Sequence, residues 1–123
     1  MRILALAALL SAALITSPQA ATPTTSSGQI SIAQVMEMLD GAETDEWKRM
    51  VITAYLAGLG ETAGLMIANA AAYGATLTCR RSIAIDAASV RRALRNAASE
   101  AEWAETAATP VLIDDLIERA GCR

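Results

Sequence analysis

The sequence predicts an all-α fold, a small helical domain of about four helices around a long central helix, with one disulfide. Three observations lead there. Trp47 to Ala72 is an unbroken stretch without proline and without a charge after Glu61. Apolar residues elsewhere recur at helical spacing, and no strand-like run is longer than Ser82 to Ile85. The chain has two cysteines, Cys79 and Cys122, and both fall after the long stretch.

The long stretch is the predicted centre. At helical spacing Val51, Tyr55, Leu59, Thr62, Leu65, Met66 and Asn69 fall on one broad face, apolar apart from Thr62 and Asn69. A second row, Leu56, Gly60, Gly64, Ala68 and Ala72, carries almost no bulk and suits the close approach of a neighbouring helix. The remaining faces are too apolar for a lone surface helix, so the other helices are expected to wrap it. Gly58, Gly60 and Gly64 each cost about 1 kcal/mol against alanine inside a helix, and close packing is the gain expected in return. Gly58-Leu59-Gly60 is not a nucleotide loop, because no strand precedes it and the G-x-G-x-x-G spacing is missing.

Residues 1–20 read as a secretory signal sequence. Arg2 supplies the positive start, Ile3 to Ile15 is apolar except for Ser11, and Ser17 to Ala21 offers small residues for cleavage behind Ala20 or Ala21. An apolar core of about 13 residues falls short of the roughly 20 that span a bilayer. No other stretch is expected to cross a membrane, and no stable membrane anchor is expected. Export to a bacterial periplasm follows. Loss of Arg2 leaves nine basic against 13 acidic side chains, which together with export argues against nucleic acid as a partner.

Residues 21–29, rich in Thr, Ser, Pro and Gly, form an expected flexible leader, and residues 30–123 a single helical domain. Ser31 and Gln34 fit a capping box, with Ile30 and Val35 as the staple around it. That helix carries Ile32, Val35, Met36 and Leu39 inward and stops at Gly41. Thr44 is the expected cap of the central helix, with Asp45 and Glu46 at the positive end of its dipole. Tyr73-Gly74-Ala75 ends it, and residues 76–85 form the main irregular connection. Asp86 caps a helix over about 87–98 that buries Val90 and Leu94 and turns Arg91, Arg92 and Arg95 to water. A short segment near Trp103 follows. Thr109-Pro110 reads as a cap with proline at the first helical position, opening a last helix that Gly121 closes.

Two cysteines in an exported chain point to a Cys79–Cys122 bridge. A redox pair would need a close partner such as Cys-x-x-Cys, and none exists. Closing a loop of about 44 residues stabilises the fold by about 4 kcal/mol. Enzymatic chemistry has few candidates. The chain contains no histidine and no Gly-x-Ser-x-Gly, and Asp114, Asp115 and Glu118 read as the solvated face of a helix rather than a metal cluster. No enzyme activity and no cofactor are expected. Arg80, Arg81, Arg91, Arg92 and Arg95 cluster with Asp86 alone among them, the expected partner-binding group for an acidic protein surface.

With these elements placed, the chain resembles the Rap/Tai family of type VI secretion immunity proteins over roughly residues 50–122. The resemblance rests on the leader, on Tyr55-Leu56-Ala57-Gly58 in the long helix and on Cys79 after it. A helix with Val90 and Leu94 and a closing helix ending in Cys122 complete it. It implies a small helical periplasmic protein, with a homodimer among its states, that binds a cell-wall amidase effector and blocks its active site. The alternative reading is a periplasmic acid-stress chaperone or an accessory envelope protein.

Overall fold

The computed structural model describes residues 24–123, so the signal sequence expected at 1–20 lies outside the described residues. Four α-helices follow in order: α1 (Ile32–Gly41), α2 (Glu46–Asn69), α3 (Ala87–Ala97) and α4 (Ala108–Ala120). Short 3-10 turns extend α2 over Ala70–Tyr73 and precede α4 at Glu100–Glu102. The described residues contain no strand, only an isolated bridge between Ser31 and Ala107. The fold is all-α, with Cys79 bonded to Cys122.

Each helix starts where a short polar side chain or a neighbouring backbone satisfies its orphan N–H groups. The capping box at α1 forms as its sequence requires: Gln34 N–H donates to Ser31 Oγ at 3.1 Å, and Ser31 N–H to Gln34 Oε1 at 3.2 Å. Asp86 caps α3 through Ser89 N–H at 2.9 Å. Asp45, not Thr44, caps α2, because its carboxylate reaches both Trp47 N–H and Lys48 N–H. Thr44 instead sits in the turn that its N–H closes onto the Gly41 carbonyl.

The start of α4 corrects the Thr109-Pro110 reading. The helix opens two residues earlier behind Ala107, which has no side-chain cap to offer. Backbone supplies the partner instead: Ala108 N–H donates to Ile30 O at 2.9 Å, while Ile32 N–H donates to Thr106 O at 2.9 Å. The openings of α1 and α4 therefore complete one another across more than 70 residues of sequence. Pro110 falls within the first turn, where an absent N–H leaves no intrahelical bond unmade. Thr109 is released to bond the Tyr55 hydroxyl at 3.0 Å.

The leader is ordered by the same economy where it is described. Thr25 is buried, its N–H donates to Gln29 O, and its hydroxyl accepts from Gln29 N–H at 3.0 Å. Ser26 N–H reaches Glu105 Oε2 at 3.0 Å. Residues 24–29 thus form a bonded turn on the body of the domain, where the composition suggested a flexible tether.

α1 and α4 each pack against both α2 and α3. The core joins Ile32, Val35, Met36 and Leu39 of α1 to Val90 and Leu94 of α3, and Ala108, Leu112 and Leu116 of α4 complete it. α2 contributes Ile52, Leu59 and Ala63 to the core along one side. It is not wrapped by the others. Of the face read as central, Leu59 is buried, but Leu65 is 63% exposed and Val51, Thr62, Met66 and Asn69 are also on the surface. With its 3-10 turn the helix spans Glu46–Tyr73, long and apolar enough to cross a membrane by length and composition. That corrects the expectation that no stretch beyond the leader is so apolar.

Gly74 and Gly121 end their helices in the left-handed region, at φ 76° and 66°, a conformation that glycine adopts without steric cost. Gly41 does not, and is simply the last residue of α1. Around the disulfide the chain is also paired by backbone: Thr78 and Arg123 exchange two bonds, and Arg80 and Arg81 N–H both donate to Ala120 O.

Three carboxyls that close turns are held below their usual range. The Ser89 hydroxyl and then its N–H lower Asp86, the Ser99 hydroxyl and N–H lower Glu102, and the Ser26 N–H lowers Glu105. A depressed folded-state pKa stabilises the fold above the ordinary carboxylate range, and that contribution fades as pH falls through the folded values. The melting temperature is expected to hold from pH 7 to about 5 and to drop below about pH 4. Thermal melts of Glu102→Gln should show a shallower acid decline; an identical slope would count against this cause.

Candidate functional site

A groove of about 810 Å³ opens between the end of α1, the first half of α2 and the start of α3. Leu39, Ile52, Leu56 and Ile85 supply apolar lining, and Glu43, Arg49, Asp86 and Arg91 bring charge to it. The local sequence explains the lining. Ile52 and Leu56 are one helical turn apart on α2, Leu39 closes the inward row of α1, and Ile85 directly precedes the α3 cap. On the other flank of α2 a smaller apolar pocket of about 140 Å³ lies between Ile30, Val35, Met38, Val51 and Tyr55. Burial raises the Tyr55 pKa, and its bond to Thr109 only partly offsets this.

The arginines expected to form one partner-binding group occupy three settings. Arg80 and Arg81 are exposed beside the disulfide, tied by their N–H groups to the end of α4. Arg91 is half-buried and paired with Asp40 at the end of α1, so it does not simply face water. Arg92 and Arg95 lie on the exposed side of α3. The groove instead takes Arg91 together with Arg49, which the sequence reading passed over. Arg49 is exposed and donates to the Ala42 carbonyl at 3.3 Å. Its signal was a basic residue in the second turn of a helix whose later turns are almost uncharged.

Asp114, Asp115 and Glu118 line one shallow pocket between α3 and α4, but their partners differ. Asp115 binds Arg119 Nε at 2.8 Å, and Arg119 Nη1 donates to the Ala84 carbonyl, holding the irregular connection to α4. Asp114 and Glu118 remain exposed. Among the described residues no group of three or more acidic, cysteine or histidine side chains is placed to hold a metal.

Among the described residues nothing packs against Gly58, Gly60 or Gly64. A Cβ built at any of them meets no neighbouring atom within 4 Å, so no other helix among the described residues approaches there. The close-packing reading therefore fails inside one copy, because α1 and α4 chose the side of Ile52, Leu59 and Ala63. Gly60→Ala is expected to raise stability by about 0.5–1 kcal/mol through helix propensity alone. An unchanged or lower melting temperature would show a constraint at Gly60 beyond the folded chain.

No protein-family model matches the chain, and neither a curated protein nor a solved structure matches it significantly.

Proposed function

We propose that this chain is a periplasmic, immunity-type binding protein that neutralises a cell-wall amidase effector of a type VI secretion system without chemistry of its own. The observation that carries this reading is the open groove beside α2, an apolar trough whose lining carries Arg49 and Arg91 together with Glu43 and Asp86. Such a site suits a protruding segment of a folded protein that presents apolar side chains flanked by charges of both signs. The disulfide supports a working place outside the cytoplasm, where such bonds persist. The amidase as partner comes from the family resemblance alone.

Purified protein is mixed with each amidase encoded beside its gene, and peptidoglycan hydrolysis and binding heat are measured. Inhibition by the native chain, weakened at least tenfold by Leu56→Glu or Arg49→Glu, is the expected result. Undiminished hydrolysis for every candidate amidase removes the reading. A specific observation keeps the chaperone alternative in view: the exposed apolar side of α2, including Leu65 and Met66, would suit unfolded clients. Suppression of client aggregation at pH 3, with no amidase bound at pH 7, would favour it.

A further inference from the structure

The two halves of α2 stand in different surroundings. Ile52, Leu59 and Ala63 hold the first part of the helix in the body of the domain. Beyond them Leu65, Met66, Ala68, Ala71, Ala72 and Tyr73 are exposed, Tyr73 at 87%. At 100° per residue these positions cover about 220° of the helix circumference, and only the sector of Ala63, Ile67 and Ala70 turns to the domain. A partner helix covers a narrower stripe than this. Leu65, Met66 and Tyr73 leave on the order of 400 Å² exposed, against about 800 Å² that a standard protein interface takes from each partner. A surface so broad around the helix and so small in area suits a fluid layer that closes around it.

The polar groups of this end are satisfied within it, as an apolar layer requires. Asn69 Nδ2 donates to the Leu65 carbonyl at 2.8 Å, and Thr62 Oγ1 donates to the Gly58 carbonyl at 2.8 Å. Gly74 turns the chain at φ 76°, and the Gly74 and Ala75 N–H groups donate back to the Ala71 and Ala70 carbonyls. Residues 62–79 include no charged side chain, and Arg80 and Arg81 follow at once, both exposed. Arg123, whose backbone pairs with Thr78, joins them against Glu118 on the last turns of α4. An uncharged apolar end backed by an excess of arginine is complementary to anionic phospholipid.

We propose that the end of α2, from Leu65 through Tyr73, docks the protein on an anionic phospholipid surface. Its apolar side chains enter the boundary between headgroups and acyl chains, with Tyr73 as the interfacial ring and Arg80 and Arg81 at the phosphates. The end lies in the surface and does not span it. Leu65 to Tyr73 measures about 13 Å along the helix, less than half the roughly 30 Å of a bilayer core, and Glu61 marks where immersion stops. The docking does not rest on the amidase reading and leaves the groove at the first half of α2 open.

Flotation of the secreted, disulfide-bonded chain with phosphatidylcholine vesicles, with and without phosphatidylglycerol, tests this with no amidase present. The chain is expected to float with the phosphatidylglycerol vesicles and to bind the others less. Leu65→Glu, at a position outside the core cluster, should weaken binding at least tenfold with an unchanged melting temperature. Arg81→Ala should weaken it about fivefold. Tyr73→Trp should add a tryptophan emission that shifts to the blue on vesicles. Failure to float, equal flotation without phosphatidylglycerol, or flotation indifferent to Leu65→Glu would overturn the proposal, as would an unshifted Tyr73→Trp emission. A dimer that Leu65→Glu splits and that vesicles do not bind would also overturn it, assigning this end to a second copy.

Discussion

Replacing both cysteines, Cys79→Ser with Cys122→Ser, is expected to destabilise the domain by about 4 kcal/mol. The bridge joins residues 43 apart in sequence, and most of the effect comes from the unfolded chain, which gains the freedom that closure removes. For a domain of this size the loss lowers the melting temperature by roughly 15–30 °C. The native state adds little that could compensate. Backbone bonds between Thr78 and Arg123, and from Arg80 and Arg81 to Ala120, hold the same junction, but each contributes only about 1 kcal/mol net. Loosening should begin there, so amide exchange is expected to rise first over residues 76–85 and at the end of α4. A loss below about 1 kcal/mol would mean that the unfolded chain is already compact around this loop.

The sequence made local signals legible and tertiary choices illegible. Ser31 with Gln34, Asp86 before Ala87, and Gly121 before Cys122 act over three or four residues, so type and spacing were enough to place them. The α4 start was not legible, because its partner is the Ile30 carbonyl and no side chain at Ala107 announces it. The buried side of α2 was hidden for a different reason. Its side chains are apolar almost all round, so periodicity has little to distinguish, and buried Ala63 looks like exposed Ala54 and Ala68. Only the packing of α1 and α4 selects Ile52, Leu59 and Ala63. The groove follows from that selection, which is why Arg49 entered it unseen. Arg91 was visible as a charge, but its pairing with Asp40 depends on how α1 ends against α3.

Leu94→Ala is expected to cost about 2–5 kcal/mol, comparable with loss of the bridge. Leu94 is fully buried, at 0% exposure, in the cluster that joins α1, α3 and α4. α3 has 11 residues, too few to be stable as an isolated helix, so its position depends on Val90, Leu94 and the cap at Asp86. Removing the Leu94 side chain leaves a cavity that a rigid neighbour such as Leu112 cannot fill without leaving its own contacts. The matched control is Leu65→Ala on α2. Leu65 is 63% exposed and packs on nothing within the chain's core cluster, so a loss of less than about 0.5 kcal/mol is expected when the chain is monomeric. The pair separates two kinds of leucine that composition cannot tell apart. Because Asp86 and Arg91 ride on α3, Leu94→Ala should also disturb the groove, whereas Leu65→Ala should leave it intact. Urea unfolding of both variants decides the matter. Equal losses would mean that the outward side of α2 contributes to the folding of a single copy, and would place the core elsewhere than between α1, α3 and α4.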